Sequence, residues 1–534
     1  MKSSLKSATA FILLVFAIVS YPLLSYAKQT IAIIGGGASG IFTAYLLNQK
    51  YPGKYHLDIY EKGRTTGGNV SSYKVKFGGK SYVLDVGAQN FSSKVDPGYY
   101  QLIKELGLID KVRSYPVGIT VWEASNKQHL FWLPPSVSGF ARYTVSDWER
   151  LAQFAKFIYS AYKLNTKTPV DWDITLGKWL DSLWLTKDFK NNVVRNFLYS
   201  FLYLPKEQME KTSAVYATTY FVRALVGTGK DDSGQAFAAP AMTTRIPLIK
   251  VTNSSIGLKG ILDKALHSSG ANVHVSSPVS AVQPQKSGVD LVVNGKTVHA
   301  DYAVLALNPF VAKTLLKDSK ILPSALKKLI ADLGAYYDNG GLKIFIQTQK
   351  ACWMPTDKNY REFFNVVADT PKNTMRLSLD FGPVNPPYEG KKPIPAFKTL
   401  GSPEIELGEC PTVVFTKRHT LPIPLPAFMK KRDEIQQWQG KNHLFYAGSW
   451  TNWYDSQESA LQSAKTVVGK LQGSGQIQPA PLLTSKDKKA FVQHVSAWLS
   501  MAIKQASHFP KIQKDMTDTL NKIKALPRDN RQHH

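Results

Sequence analysis

The chain has 534 residues, of which 43% are hydrophobic and 20% charged, and its formal net charge is +27. This composition excludes an intrinsically disordered chain and is sufficient for more than one packed domain. The positive charge favours an anionic membrane, a polyanion or an acidic surface as partner, although a solvated basic surface without a specific partner is an equal alternative. The sequence contains no recognised nucleic-acid-binding module, so a specific nucleic-acid partner is not predicted.

The first residues have the pattern of an export signal. Lys2 and Lys6 precede an apolar run from Ala10 to Val19, and Ser25-Tyr26-Ala27 supplies the small residues that signal peptidase reads. We therefore predict a cleaved signal peptide over residues 1–27 and a secreted or periplasmic protein, or a lumenal one in a eukaryote. An uncleaved anchor is the alternative, although the apolar run is short for a membrane span.

Cys352 and Cys410 are the two cysteines of the chain. The sequence leaves open whether they form a disulfide or remain buried or free thiols. No Cys-x-x-Cys pair or histidine cluster suggests a metal, so none is predicted.

The clearest local signal is a glycine-rich turn after the apolar strand Ile31–Ile34. Gly35, Gly37 and Gly40 have the G-x-G-x-x-G spacing: the first permits a tight turn, the second a close approach to a diphosphate, and the third close packing of helix on strand. The diphosphate would lie at the start of the following helix, where free N–H groups favour negative charge. We predict that this turn binds a dinucleotide, together with Ala38 and Ser39.

A second predicted strand, Tyr55–Tyr60, completes the β-α-β unit and ends in Glu61. A carboxylate about twenty residues after the glycine turn is placed to bind ribose hydroxyls. This unit by itself is compatible with either NAD or FAD.

Two later segments favour FAD. The first contains Lys62, Arg64, Gly67, Gly68 and Asn69, and the second follows Asp85 and contains Gly87, Ala88, Gln89 and Asn90. The pattern resembles the flavin amine oxidase and phytoene desaturase superfamily, in which an acidic strand end is followed by a basic residue, a Gly-Gly pair and an Asp-x-Gly-Ala segment. The resemblance implies that these residues bind FAD. Arg64 lies one residue further from the glycine pair than the family's arginine usually does, and Asn69 ends the motif where another arginine often follows.

The resemblance extends to two further blocks. It implies that backbone near Val279 contacts adenine, and that a closing motif places a helix N-terminus against the flavin. Here that motif is formed by Gly448, Ser449, Glu458, Ser459 and Ala460. Ser449 stands in place of the family's acid and Ser459 in place of a glycine. We predict that the nearby aromatic residues form a wall on the substrate side of the flavin: Trp450, Trp453 and Tyr454.

We predict an α/β fold with a Rossmann-like FAD-binding domain and an interleaved α+β substrate domain. The first would comprise residues 28–92, 250–310 and 440–475, and the second residues 93–249, expected to be mostly helical, and 311–439. The helical insert is rich in aromatic residues, which could line an apolar tunnel or form ordinary core. Residues 476–534 form a basic helical tail that either packs on the protein or attaches to a membrane surface. One face of its predicted helix carries Phe491, Val495, Trp498 and Leu499.

The candidate catalytic residue is Lys343, with Trp353 ten residues later. In many flavin amine oxidases a lysine at this separation from a tryptophan holds a water near flavin N5. The resemblance therefore implies a role in proton transfer or reoxidation, and an exposed strand lysine is the alternative.

The predicted protein is a secreted oxidoreductase of the amine oxidase type with non-covalent FAD. It would transfer hydride from an amine or related small molecule to flavin, with O2 as the acceptor. A lipid-directed desaturase, isomerase or prenylcysteine oxidase-like enzyme is the second possibility. A flavin-binding protein without turnover is the third.

Overall fold

The structure is a computed structural model that describes residues 28–77, 79–93, 95–226, 248–337, 341–382, 394–401, 410–452, 454–473 and 483–526. The predicted signal peptide and Trp453 lie outside the described residues.

Nineteen strands are found in the described part of the chain. They are β1 (Gln29–Ile34), β2 (Tyr55–Tyr60), β3 (Ser72–Phe77), β4 (Lys80–Asp85), β5 (Val112–Val117), β6 (Ile119–Glu123), β7 (Gln128–Leu133), β8 (Ile249–Ser254), β9 (Asn272–His274), β10 (Val279–Gln285), β11 (Gly288–Val293), β12 (Lys296–Ala300), β13 (Tyr302–Leu305), β14 (Gly341–Thr348), β15 (Phe364–Asp369), β16 (Thr374–Asp380), β17 (Ala396–Gly401), β18 (Val413–Thr420) and β19 (Leu444–Tyr446).

The α-helices of the same residues are α1 (Ala38–Lys50), α2 (Pro97–Glu105), α3 (Val145–Asn165), α4 (Leu176–Ser182), α5 (Arg195–Leu202), α6 (Lys206–Lys211), α7 (Ala214–Ala224), α8 (Gly257–Ser269), α9 (Pro309–Leu316), α10 (Ser324–Ala335), α11 (Pro426–Glu434), α12 (Gln457–Leu471), α13 (Ser485–Gln505) and α14 (Pro510–Lys524). A π-helical turn, Phe189–Val194, leads into α5.

A five-stranded parallel sheet in the order β19-β13-β1-β2-β9 forms the first layer. Its central strand β1 is fully buried from Ile31 to Ile34, as expected for a parallel strand covered on both faces. The strands come from three separated parts of the chain. β1 and β2 precede the first inserted region (residues 93–249), β9 and β13 follow it, and β19 follows the second inserted region (residues 311–439). This sheet, with α1 against it, is the predicted Rossmann-like unit.

A seven-stranded sheet in the order β18-β14-β17-β16-β15-β6-β7 forms the second unit. All its neighbouring strands are antiparallel except the parallel pair β15 and β6. Its apolar residues share one core with α3, α5 and α7. The insert expected to be mostly helical therefore also contributes β6 and β7 to this sheet, and their short runs of buried residues have no helical periodicity. It also contributes β5, which pairs with β8 in a separate two-stranded sheet.

The packing does not follow the predicted boundary at residue 311. Helices α9, α10 and α11 pack their apolar residues into the same cluster as β1 and β13, although the sequence prediction placed them in the substrate domain. Leu326 and Met429 are completely buried there. The three-stranded sheet β10-β11-β12 lies against β1 and β13, and α9 packs on β10, so these helices continue the core of the nucleotide unit.

Helices α13 and α14 form a hairpin on the substrate domain. Phe491, Val495, Trp498 and Leu499 are all buried in the core shared with the second sheet, and Phe491 stacks on Tyr162 of α3. The apolar face predicted from the sequence thus packs on the protein. No helix of the described residues is long and apolar enough to cross a bilayer.

Candidate flavin site

The glycine-rich turn joins β1 to α1 at the carboxyl edge of the parallel sheet. Gly35 has φ +108°, a conformation that side chains disfavour, and its N–H donates to the Tyr60 carbonyl at 2.9 Å. Gly37 precedes α1, and no side chain of the described residues caps this helix. The first N–H groups of the helix, those of Ala38 and Ser39, can thus donate hydrogen bonds to an anion.

Glu61 lies beside the turn, as its position after β2 predicts. Its two carboxylate oxygens accept N–H groups of Gly36 at 2.9 Å and of Gly63 at 2.7 Å. Backbone N–H groups of Ser276 and Ser277 donate to the carbonyls of Gly63 and Glu61, respectively. These bonds bring the start of β10, with the half-buried Val279, to the edge of the turn.

The Gly-Gly segment packs directly on the glycine turn. Gly67 donates its N–H to the Gly36 carbonyl at 2.8 Å, and Gly68 lies against the Cα of Gly37. Glycines at both positions permit this close backbone approach. The side chains of Lys62, Arg64 and Asn69 are exposed at the surface of this segment.

The segment after β4 lies beside the Gly-Gly segment, and a Cβ at Gly87 would collide with the Asn69 carbonyl. Its other side meets the second sheet, where Lys398 donates to the Gly87 carbonyl at 2.6 Å and to Gln89 Oε1 at 3.2 Å. Lys398 is 1% exposed, and its burial lowers its pKa to about 7. Nothing in the sequence motif pointed to this lysine, because it lies more than three hundred residues from Gly87.

Three polar atoms around this segment test whether the residues fit a flavin. Among the described residues, Gln89 Nε2, Asn90 Oδ1 and His419 Nε2 are buried and have no hydrogen-bond partner. Burial of such groups is costly unless a partner satisfies them, and a flavin ring offers both donors and acceptors along its polar edge. These three residues, together with the start of α1, whose N–H groups can bind a diphosphate, fit FAD.

The closing motif is a turn followed by α12. Gly448 has φ +150°, and its N–H donates to Ser463 Oγ at 3.1 Å. The Ser449 hydroxyl donates to Asp455, so a carboxylate lies beside the serine that replaces the family's acid. Ser459 donates its N–H to Ser456 Oγ at 3.1 Å. Ala460, in the first turn of α12, is buried in a cluster with residues of α1, α2 and α8.

Glu458 has partners that the sequence did not predict. Its carboxylate accepts the Tyr99 N–H and the Gln462 amide, each at 2.7 Å, and thereby ties α12 to the start of α2. Asp96 precedes α2, and burial together with the Glu458 charge raises its pKa to about 8. The Glu458 carboxylate thus joins α12 of the nucleotide unit to the insert.

Two of the predicted substrate-side aromatics, Trp450 and Tyr454, line one small pocket together with Tyr216 of the insert, and each has its own hydrogen-bond partner. Trp450 is buried in the nucleotide core, where its indole N–H donates to the Leu307 carbonyl at 2.8 Å. Tyr454 donates its hydroxyl to the Val95 carbonyl at 3.1 Å and forms an edge contact with Tyr220 at 5.8 Å. Of the two, Tyr454 is therefore the one that contacts Val95 and Tyr220 of the insert.

A small cavity lies beside this tyrosine pair, immediately after the segment that ends at Asn90. Its lining is almost entirely apolar and includes Phe91, Val95, Ile119, Tyr220, Phe221 and Phe364. The aromatic residues of the insert contribute both to this cavity and to ordinary core.

Lys343 lies on the opposite face of the second sheet from Lys398. In the register, Lys343 pairs with Gly401 whereas Ile346 pairs with Lys398, and neighbouring residues of a strand point to opposite faces. The face that meets the Gly87 segment is that of Lys398. Trp353 lies on the Lys343 side, where its ring is tilted against that of Phe345 with the ring centroids 5.5 Å apart. The structure therefore does not bring Lys343 together with the predicted flavin residues, and its catalytic role stays a prediction.

A family comparison decides the identity of this arrangement. The sequence model of the flavin containing amine oxidoreductases matches residues 38–389. The chain belongs to this family. It is therefore an FAD-dependent oxidoreductase, and the fold class and FAD predicted from the sequence are confirmed.

Similar proteins of this fold include both oxidases and an isomerase. Cyclohexylamine oxidase from Brevibacterium oxydans superposes with a TM-score of 0.56 at 14% identity, covering 83% of this chain and 100% of its own. The CLA-producing fatty acid isomerase from P. acnes gives a TM-score of 0.56 at 13% identity, covering 84% of this chain and 99% of its own. At these identities the likeness shows the fold.

One curated relative matches over a short stretch. Uncharacterized protein R188 of Acanthamoeba polyphaga mimivirus is 40% identical over 87 residues, which is 16% of this chain and 16% of the relative. This stretch is too short to assign a common activity to the two proteins.

Proposed function

We propose that this flavoprotein is a secreted oxidase that takes a hydride from an amine or a related substrate with an apolar body. Reoxidation would use O2. The observation that carries the proposal is the apolar cavity beside Tyr220 and Tyr454, directly after the flavin-binding segment that ends at Asn90.

The residues around the cavity have separate roles in this proposal. Bound FAD supplies the two-electron acceptor. The apolar wall excludes water and orients the substrate body by burial of apolar surface. Tyr454 is fixed by its bond to the Val95 carbonyl, so that its ring has a defined orientation next to Tyr220.

The location is proposed from two observations. The sequence begins with an export pattern, and Cys352 and Cys410 form a disulfide with a Cα–Cα distance of 5.7 Å. Stable disulfides are typical of oxidising compartments outside the cytosol. The bond supports secretion and answers the pairing question that the sequence left open.

A lipid-directed reaction is the second candidate. It is favoured by the same cavity, because a wall of phenylalanine and aliphatic side chains suits an acyl or prenyl chain as well as it suits an amine with a large apolar group.

Anaerobic mixing of the FAD-loaded protein with a panel of amines, prenyl thioethers and unsaturated lipids tests these assignments. We expect bleaching of the flavin absorbance by an amine with an apolar group, and recovery of absorbance on addition of O2. Bleaching by lipids alone would favour the second candidate, and recovery only with another acceptor would contradict the oxidase. A flavin that no compound reduces would favour a binding protein without turnover.

A variant of the cavity provides a site-specific check. Ala224→Leu adds three carbon atoms to a cavity-lining residue, whereas Ala525→Leu adds them to an exposed position at the end of α14. We expect kcat/KM of the reducing substrate to fall about tenfold or more in the first variant only, with FAD content unchanged in both. Equal values in the two variants would show that this cavity does not hold the substrate.

A further inference from the structure

Three basic side chains of the second sheet share the face that meets the nucleotide unit. Lys398 lies on β17, and Lys417 and His419 lie on β18. Their partners on β14 are Ile346, Ile344 and Leu342, respectively, which are alternate residues of that strand. Side chains of alternate strand residues point to the same face, so the three basic residues form one group, which we call the basic wall.

The basic wall contacts both glycine segments that the family resemblance assigns to FAD. Lys417 donates to the Gly68 carbonyl at 3.2 Å and to Ser71 Oγ at 2.8 Å. Lys398 donates to the Gly87 carbonyl and to Gln89, and His419 is so close to Gly87 that a Cβ there would lie 2.6 Å from its ring. The wall thus reaches the cofactor segments from a part of the chain that the motif does not include.

The wall has more positive than negative groups. Asp85 is the carboxylate that acts on Lys398, and it is itself engaged by Ser72 and by the Leu258 N–H. Burial raises the pKa of Asp85 to about 7 and lowers the pKa of Lys417, and burial with the two neighbouring lysines lowers the pKa of His419 to about 3. His419 is therefore neutral at pH 7, and the positive charge comes from the two lysines, of which Lys398, with its pKa lowered to about 7, is only partly protonated at that pH.

We propose that Lys398 and Lys417 stabilise the negatively charged states of the bound flavin, acting as positioning residues that tune its electron affinity. Charges interact strongly in a buried site, and a protein tunes a flavin largely through the charges placed around its ring. The unpartnered Gln89 Nε2 and His419 Nε2 atoms lie on the same segment and the same wall, where a polar ligand edge would satisfy them.

The proposal rests on the FAD site and is independent of the substrate proposed above. Sulfite is a suitable probe, because its addition to oxidised flavin places a negative charge on the ring and bleaches the flavin absorbance. The titration needs no substrate and no turnover. Failure of the amine panel would therefore leave this test intact.

The variants are Lys398→Met, Lys417→Met and, as control, Lys372→Met in the exposed turn between β15 and β16 of the same sheet. We expect the dissociation constant of sulfite to rise about tenfold or more in Lys398→Met and severalfold in Lys417→Met, and to stay within about twofold in Lys372→Met. Lys398→Arg, which keeps the charge, should restore most of the affinity. FAD content and melting temperature of each variant report on folding.

Wild-type sulfite affinity in both wall variants would overturn the proposal and leave the lysines a structural role. The proposal would also be overturned if the Lys372→Met control weakened sulfite binding as much as the two wall variants do. If Lys398→Met fails to fold or to retain FAD, the half-buried Lys417 decides the question, because its side chain is less integrated in the core.

Discussion

Gly37 and Gly40 belong to one motif but have different steric surroundings. A Cβ at Gly40 would collide with the carbonyl oxygen of Gly35, so this glycine is required by the fold itself. A Cβ at Gly37 would meet only the Cα of Gly68, at 3.9 Å, which is an ordinary contact. The protein itself therefore has room for a methyl group at Gly37, and close approach of a diphosphate is the reason we expect a glycine there.

Gly37→Ala should separate cofactor binding from folding. We expect the free energy of unfolding of the apoprotein to change by less than about 1 kcal/mol, because the new methyl group has room. The dissociation constant of FAD should rise about tenfold or more, since the methyl group would stand between the backbone and the diphosphate.

Urea unfolding of the apoprotein and a fluorescence titration with FAD measure the two quantities. Gly40→Ala is the contrasting variant, for which both stability and binding should fall. Unchanged FAD affinity in Gly37→Ala would contradict a diphosphate at this turn.

Asp96 is a buried carboxyl group with a pH-dependent effect on stability. Burial and the Glu458 charge raise its pKa to about 8, whereas in the unfolded chain an aspartate titrates near 4. Between these values the folded state holds a proton that the unfolded state has lost. The contribution of Asp96 to stability is therefore present at low pH and is lost as the pH rises toward 8.

Asp96→Asn should remove this dependence, because the amide does not titrate and can still accept the Ser92 N–H. We expect the stability of the wild type relative to this variant to fall by on the order of 1 kcal/mol per pH unit between about pH 5 and 7. Urea unfolding at three pH values measures it. Parallel pH profiles for the two proteins would show that Asp96 is ionised in the fold.

At the scale of elements, the Cys352–Cys410 disulfide joins the segment after β14 to the start of the segment leading into β18. The two cysteines are 58 residues apart in sequence, and Cys410 packs with Phe345 and Trp353. A cross-link over a segment of this length restricts the unfolded chain considerably. It fastens the start of β18, the strand that carries Lys417 and His419.

The double variant Cys352→Ser with Cys410→Ser should be less stable by about 2–4 kcal/mol, because the unfolded chain gains conformational freedom. Chemical unfolding under non-reducing conditions measures the loss, and reduction of the wild type should reproduce much of it. Two thiols that react with iodoacetamide in unfolded, unreduced wild-type protein would contradict the bond.

At the scale of the whole molecule, the two units are joined by contacts between distant parts of the chain. Lys398 reaches Gly87, Glu458 holds the start of α2, and Tyr454 reaches Val95. The contacts surround the segment that carries the predicted flavin residues. Binding of FAD should therefore stabilise both units together, since a ligand that binds the folded state shifts unfolding as a whole.

Export is the property of the whole molecule that remains to be tested. We expect secreted or periplasmic protein to begin at Lys28, with the net charge reduced from +27 to +25 by loss of the two lysines of the signal. N-terminal sequencing and intact mass measure this. Recovery of only the full-length protein in the membrane fraction would favour the uncleaved anchor.

The local motifs of the nucleotide unit were readable from the sequence because each depends on a few neighbouring residues. The strand, the glycine turn and Glu61 form a unit whose parts need specific residue types at fixed spacing. The resemblance added the Gly-Gly segment and the closing motif. The apolar face of the tail was also readable, since helical periodicity marks it.

Tertiary structure alone decided which distant residues meet. Periodicity showed that the tail helix has an apolar face but not whether protein or membrane covers it, and packing on α3 settled that point. Strand register placed Lys343 and Lys398 on opposite faces, which depends on pairings between β14 and β17 that no local pattern encodes. Pairing of Cys352 with Cys410 and the Lys398 contact with Gly87 have the same origin, because both require chain segments far apart in sequence to be brought together by the fold.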